Sequence, residues 1–141
     1  MAERVLDATK CISYLTIEAK GAIPAELQEK VGELIYGCDI CQDVCPWNRG
    51  IEKRRRGEEL PELAEPHVSL VEWLELPAAE LVSRYDRLYV PRNDPRYLRR
   101  NALVTAGNSG DATLAPLVAG DADDPDPMLR AHAEWALERL S

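Results

Sequence analysis

The chain has 141 residues, of which 45% are hydrophobic and 30% charged, and its formal net charge is −8. That length allows one domain or two small ones, with enough apolar residues for a packed core. No apolar run approaches a bilayer-spanning length and no charged-then-apolar leader is present, so a soluble, intracellular chain with reduced thiols is expected.

In chain order, residues 2–10 offer only the apolar pair Val5-Leu6 ahead of Asp7, consistent with a brief strand and turn. Cys11 then opens a short helix running to about Glu18, and Gly21-Ala22-Ile23-Pro24 breaks it. Residues 24–35 read as a helix. Pro24 suits its first turn, and Leu27, Val31, Leu34 and Ile35 recur on one face. Gln28, Glu29, Lys30 and Glu33 cover the other side. This helix hands directly to the next cysteines and so sets their distance from Cys11.

Three of the four cysteines lie in Gly37-Cys38-Asp39-Ile40-Cys41-Gln42-Asp43-Val44-Cys45-Pro46-Trp47-Asn48. The spacing is C-x2-C-x3-C-P, the bacterial iron–sulfur ending in which the last cysteine often ligates the other cluster of a pair. Cys38 and Cys41 can face one centre, Cys45 follows one helical turn on, and Pro46 turns the chain away. Zinc is the main rival, since four cysteines can close a tetrahedral site. Zinc ligands usually come as two close pairs, however, and Cys11 stands alone. Disulfides are permitted by the even count, but Cys38 and Cys41 are too close for an ordinary structural bridge. Buried free thiols would not gather three in eight residues. Trp47 is placed to cover a bound centre.

Residues 49–66 read as a charged linker with Gly50, Gly57, Pro61 and Pro66. Beyond it, Ser69 is placed to cap a helix from Leu70, with Glu72 positioned for a capping box. Pro77 breaks that helix, and residues 78–85 form another. The last third carries a weak internal repeat. Residues 98–106 align with residues 129–137, each copy preceded by Asp-Pro (Asp94-Pro95 and Asp126-Pro127). Small alanines on the helix faces fit stacked helical hairpins of the HEAT type, although two copies are fewer than such stacks need alone. Trp73 and Trp135 read as helix-packing residues, and His67 and His132 as surface or packing histidines rather than ligands. Charge is unevenly placed: Lys53-Arg54-Arg55-Arg56 is a basic run, and Arg84, Arg87, Arg92, Arg96, Arg99 and Arg100 gather within seventeen residues. Such patches are either an electrostatic footprint for RNA or merely solvated helix faces. No nucleotide loop, nucleophile elbow or paired-carboxylate site is present.

Three stretches together resemble the C-terminal part of the epoxyqueuosine reductase family: residues 6–18 around Cys11, the Gly37–Asn48 stretch, and Arg96-Tyr97-Leu98-Arg99-Arg100-Asn101-Ala102-Leu103. The first two are specific as a pair. The resemblance implies a cytoplasmic oxidoreductase that removes the epoxide oxygen of epoxyqueuosine in tRNA, the last step of queuosine biosynthesis. It also implies two [4Fe-4S] clusters passing electrons to cobalamin, and a HEAT-like part that helps hold tRNA.

Carried onto this sequence, the resemblance makes Cys11, Cys38, Cys41 and Cys45 the metal ligands. Cys11, Cys38 and Cys41 would share one cluster with an upstream cysteine, and Cys45 would complete the other. Ser13 and Asp39 become candidate cofactor contacts, with capping and turn duty as the plainer reading. Arg96, Arg99, Arg100 and Asn101 become candidate tRNA contacts on a common groove. The expected fold is mostly α, with a ferredoxin-like iron–sulfur segment over residues 1–50, a linker over 51–66 and an all-α HEAT-like region over 67–141. The family's upstream cysteine motif and N-terminal cobalamin domain, with its catalytic acid, have no counterpart here. The chain is therefore expected to be a fragment, a truncated product or half of a split protein, inactive alone. Its partners would be tRNA, the missing cobalamin domain and an electron donor. Two other functions fit the residues: a free-standing iron–sulfur electron carrier with a helical docking tail, and a zinc-stapled interaction module.

Overall fold

The computed structural model describes residues 5–55, 57–58 and 64–141. Residues 2–4, Arg56 of the basic run and Pro61 of the predicted linker lie outside the described residues. The chain is mostly helical, with no β-strand among the described residues. The strand expected at Val5-Leu6 is irregular chain leading into a 3-10 turn, Ala8–Lys10, because no second strand stands beside it to share a ladder.

Eight α-helices follow among the described residues: α1 Ala25–Val31, α2 Ile40–Asp43, α3 Arg49–Arg55, α4 Leu70–Glu75, α5 Ala78–Arg84, α6 Arg96–Ser109, α7 Ala115–Ala119 and α8 Pro127–Leu140. The two aligned stretches of sequence are the two long helices, α6 and α8. Both begin at an Asp-Pro corner. The Asp94 carboxylate accepts from the backbone N–H of Arg96 at 3.1 Å, and that of Asp126 accepts from Met128 N–H at 2.7 Å. The Arg96 guanidinium also bridges Asp94 and Asp126, tying the two corners together. α6 ends at Gly110, whose φ of 66° is the left-handed conformation that glycine adopts at little cost.

α6 lies at the centre, with ten consecutive residues, Leu98 to Gly107, buried. It packs along α8, where Ala102, Ala106, Ala133 and Ala136 are fully buried. The approach is closest at Gly107. A Cβ there would stand 2.5 Å from the Trp135 ring and 2.9 Å from the Ala136 Cα, so only glycine fits.

Two apolar clusters meet on α6. Trp73, Leu81, Tyr85, Leu103, Val118 and Leu129 are among the residues of the larger one, which joins α4, α5 and α7 to α6 and α8. Val104, the next residue along, belongs to the smaller, with Leu15, Ile23, Leu27 and Val31 from the N-terminal side. Adjacent side chains on a helix point about 100° apart, so one helix can serve both.

Local signals account for the flanking elements. The Ser69 hydroxyl accepts from the Glu72 N–H at 3.3 Å and caps α4. The Glu72 carboxylate, instead of completing a capping box, pairs with Arg84 at 3.6 Å. α1 stops at Val31, short of the expected Ile35, because Gly32 takes φ 60° and ends the helical hydrogen bonding. Leu34 is consequently exposed. Gln28, expected on the outer side, is buried and donates to the Ile23 carbonyl at 2.8 Å. No helix among the described residues is long and apolar enough to cross a membrane.

Candidate metal centre

The cysteines occupy two short segments. Cys11 stands at the start of a helical stretch: its carbonyl accepts from the Leu15 N–H at 2.9 Å, and the stretch continues as a π-helical turn, Tyr14–Glu18. Cys41 lies within α2, and Cys38 and Cys45 flank that helix. Asp39 starts α2 through its carbonyl, which accepts from the N–H groups of Gln42 and Asp43 at 2.8 and 3.0 Å; its side chain makes no cap. Cys45 N–H donates to the Gln42 carbonyl at 3.1 Å, and the Asn48 amide nitrogen donates to the Gln42 side-chain oxygen at 2.8 Å. The Gln42 amide also lies 3.9 Å from the Cys41 sulfur.

Hydrogen bonds join the two segments. Ser13 donates its hydroxyl proton to the Cys38 carbonyl at 3.0 Å. Thr16 donates to the Ile12 carbonyl at 2.8 Å and accepts from the Gly37 N–H at 2.9 Å. Gly37 has φ 77°, so the turn that presents Cys38 favours glycine for its backbone conformation. The Cys11 and Cys38 segments are thus fixed to each other by backbone-directed bonds rather than by apolar packing.

All four cysteines are free. Cys11, Cys38 and Cys45 are half-buried and Cys41 is exposed. Among the described residues, no three His, Cys, Asp or Glu side chains converge on a position that one metal ion could occupy. A tetrahedral zinc with sulfur at about 2.3 Å needs such tight convergence. A multi-iron cluster is wider and spreads its thiolates further apart, and four uncrosslinked thiols on two pinned segments are donors of the type it takes. The surroundings are open, with exposed apolar side chains standing among exposed Asp39, Gln42 and Asp43. Ile40, Val44 and Ile51 are exposed, and Trp47, expected to cover the centre, is 88% exposed.

The Cys11 segment is anchored from α6 by residues whose role the sequence did not announce. Arg100 is fully buried. It donates to the carbonyls of Leu15 at 2.8 Å, Ala19 at 2.9 Å and Gly21 at 2.6 Å, and to the Asn101 side-chain oxygen. Asn101 in turn donates to the Thr16 carbonyl at 2.7 Å. These are the acceptors a helix end leaves unpaired, so a buried cation is held by dipoles with no carboxylate beside it. Burial lowers the Arg100 pKa to about 10. Asn108 does the same for α1, donating to the carbonyls of Gln28 and Gly32 at 2.8 and 3.0 Å.

The four candidate tRNA contacts, Arg96, Arg99, Arg100 and Asn101, are not brought together on one exposed groove. Arg99, Arg100 and Asn101 are buried because α6 is enclosed on every side, and their polar atoms serve the chain's own backbone. Arg99 donates to the carbonyls of Leu74 and Leu76. Only Arg96 of the four is substantially exposed, and it is engaged by Asp94 and Asp126. The spacing did hold a signal: Asn101 and Thr105 lie on the same helical stripe as Leu98 and Ala102, so polar residues had to face inward with them. His132 is likewise internal. Its Nε2 accepts from the Ile23 N–H at 3.2 Å and its Nδ1 faces the Met128 carbonyl at 2.7 Å.

Residues 1–48 match the family model described as a 4Fe-4S double cluster binding domain. The epoxyqueuosine reductase of Pseudomonas aeruginosa is 40% identical over 136 residues, which are 95% of this chain and 37% of that protein. The solved epoxyqueuosine reductase of Bacillus subtilis superposes with a TM-score of 0.77 at 30% identity, covering 96% of this chain and 37% of the other. A crystal structure of an epoxyqueuosine reductase with a tRNA-Tyr epoxyqueuosine-modified stem loop gives a TM-score of 0.74, also at 30% identity, over 96% of this chain and 36% of that one. In sequence and in fold, the chain is similar to one part of the epoxyqueuosine reductases, spanning about 37% of the length of these relatives.

Proposed function

We propose that Cys11, Cys38, Cys41 and Cys45 hold iron–sulfur, in the manner of half a bacterial ferredoxin-like module, and that the chain is the iron–sulfur and tRNA-contacting part of an epoxyqueuosine reductase. The whole enzyme would be a cytoplasmic oxidoreductase reducing epoxyqueuosine to queuosine in tRNA. The observation that carries this reading is the pinned pair of cysteine segments, joined by the Ser13–Cys38 and Thr16–Gly37 hydrogen bonds and anchored through Arg100. Bound there, a [4Fe-4S] cluster would supply one-electron transfer, with cobalamin in the remainder of the enzyme as the acceptor.

The chain's own residues hold and orient that centre. Ser13 fixes the Cys38 carbonyl, Asp39 starts the helix that carries Cys41, and Arg100 with Asn101 holds the Cys11 stretch in place. The paired α6 and α8 are read as a short HEAT-like stack on which this part is mounted. Nucleic acid is better served by α3, which exposes Lys53, Arg54 and Arg55 shortly after the cysteines, than by the buried groups of α6. The partners remain tRNA, the cobalamin-bearing part of the reductase and an electron donor.

Anaerobic reconstitution tests this. A broad visible absorption band with about four irons and matching sulfide per chain is the expected result. Stoichiometric zinc without colour would sink the redox reading and leave a metal-stapled interaction module in its place.

A further inference from the structure

Gln42 lies on α2, one residue after Cys41 and three before Cys45, and its side chain is exposed. An exposed glutamine ordinarily keeps its rotamer freedom, because ordering it costs conformational entropy. This one is held. The Asn48 side-chain nitrogen donates to its carboxamide oxygen at 2.8 Å and to its backbone carbonyl at 3.1 Å. That carbonyl also accepts from the Cys45 N–H, and the Asn48 N–H donates to the Cys45 carbonyl at 3.0 Å. Half-buried Asn48 thus ties the Gln42 side chain into the turn that presents Cys45.

This pattern fixes both amides. A backbone carbonyl only accepts, so the Asn48 atom beside the Gln42 carbonyl is the nitrogen. That nitrogen only donates, so the Gln42 atom it meets is the oxygen. The Gln42 nitrogen is therefore turned toward the Cys41 sulfur, 3.9 Å away. Among the described residues, this is the one hydrogen bond that reaches a cysteine sulfur. The contact is long, as suits a neutral thiol, which is a weak acceptor. A metal-bound thiolate carries charge, and charge-assisted hydrogen bonds are shorter and stronger.

The potential of an iron–sulfur centre depends on the hydrogen bonds its sulfurs receive. Taking up an electron adds negative charge that the ligating thiolates share. A donor aimed at one of them stabilises the reduced form more than the oxidised form. We propose that Gln42, aimed by Asn48, donates its amide N–H to the Cys41 sulfur and raises the reduction potential of the centre held there. This rests on the iron–sulfur reading of the four cysteines. Gln42 ligates nothing, and Asn48 is a positioning residue that acts through it. A purely structural role for the pair would change the iron retained and leave the potential where it is.

The test is an anaerobic redox titration of the reconstituted 141-residue chain with dithionite, read from the visible band beside iron and sulfide content. Gln42→Leu should lower the midpoint by about 30 mV, a threefold shift of a one-electron equilibrium. Gln42→Asn keeps a neutral amide that is too short to span from Asn48 to the sulfur. It should lower the midpoint as well, which separates the lost donor from a change in polarity. Asn48→Ala should lower it by less, since Gln42 is kept but no longer aimed. The proposal is overturned if the Gln42 variants titrate at the native potential. It is equally overturned if they lose iron without a shift, or fail to load, since the role is then structural. A native chain that takes up no iron–sulfur removes the reading of the cysteines and this inference with it, whereas a loaded native chain with unmoved variants refutes Gln42 alone.

Discussion

Around the cysteines, Ile40, Val44, Trp47 and Ile51 all stand exposed, whereas on α6 ten consecutive residues are buried, two arginines and an asparagine among them. The two regions depart from the usual assignment in opposite ways, one exposing large apolar side chains and the other burying polar ones among its apolar residues. The cysteine stretch has little core of its own and is placed by directed hydrogen bonds. α6 makes the core and spends its polar side chains on the carbonyls of the segments it positions. A ligand-bearing segment can thus stay open to its ligand because a distant helix supplies the order it lacks.

The contrast is broken most directly at Arg100. Replacing it with methionine keeps the bulk but strands the buried carbonyls of Leu15, Ala19 and Gly21. A loss of about 3 kcal/mol or more is expected, together with a poorly placed Cys11. Urea midpoints measure the first and reconstituted iron content the second; a near-native midpoint would refute the clamp. Gly107→Ala comes next. The new methyl meets the Trp135 ring and the Ala136 backbone, and overpacking of this kind costs about 1–3 kcal/mol, read from the same denaturation curves.

His132 gives a smaller, pH-dependent effect. Burial holds its pKa below the usual 6.5, the Met128 carbonyl opposing and the Arg100 charge adding to the lowering. The unfolded chain therefore takes up the proton before the folded one does. Stability is complete above pH 6.5 and falls as the pH drops below it, by about 1.4 kcal/mol per unit of pKa difference. Urea midpoints across that interval should decline in the native chain and decline less in His132→Gln; identical slopes would remove the histidine from the account. The smallest folding effect is expected at the cysteines. Without metal, Cys41→Ser should change stability by no more than about 0.5 kcal/mol, yet it should lower the iron retained after reconstitution. A large loss of apo stability would mean that the cysteine stretch carries more of the fold than its exposure indicates.

The Asp-Pro repeat, the Ser69 cap and the C-x2-C-x3-C-P spacing could be read from the sequence because each depends on neighbours a few residues away. The shortened α1 was also within reach, since Gly32 lies inside the apolar pattern that Leu34 and Ile35 extend. The destinations of Arg99 and Arg100 were not. A basic run looks alike whether it meets phosphate or backbone carbonyls, and the carbonyls that Arg100 meets lie some eighty residues away. A helix that faces two cores at once, through adjacent residues such as Leu103 and Val104, also defeats a reading that expects one apolar stripe per helix.

The 85-residue separation between Leu15 and Arg100 bears on the order of events during synthesis. The Cys11 segment is made early, but its terminal carbonyls have no donors until α6 has emerged from the ribosome. Iron delivered to the nascent N-terminal segment would meet thiols whose spacing is still undetermined. If the cysteines hold iron–sulfur as proposed, metal loading belongs after translation of α6, and a stalled or shortened product ending before residue 100 would leave the cell with cysteines it cannot arrange.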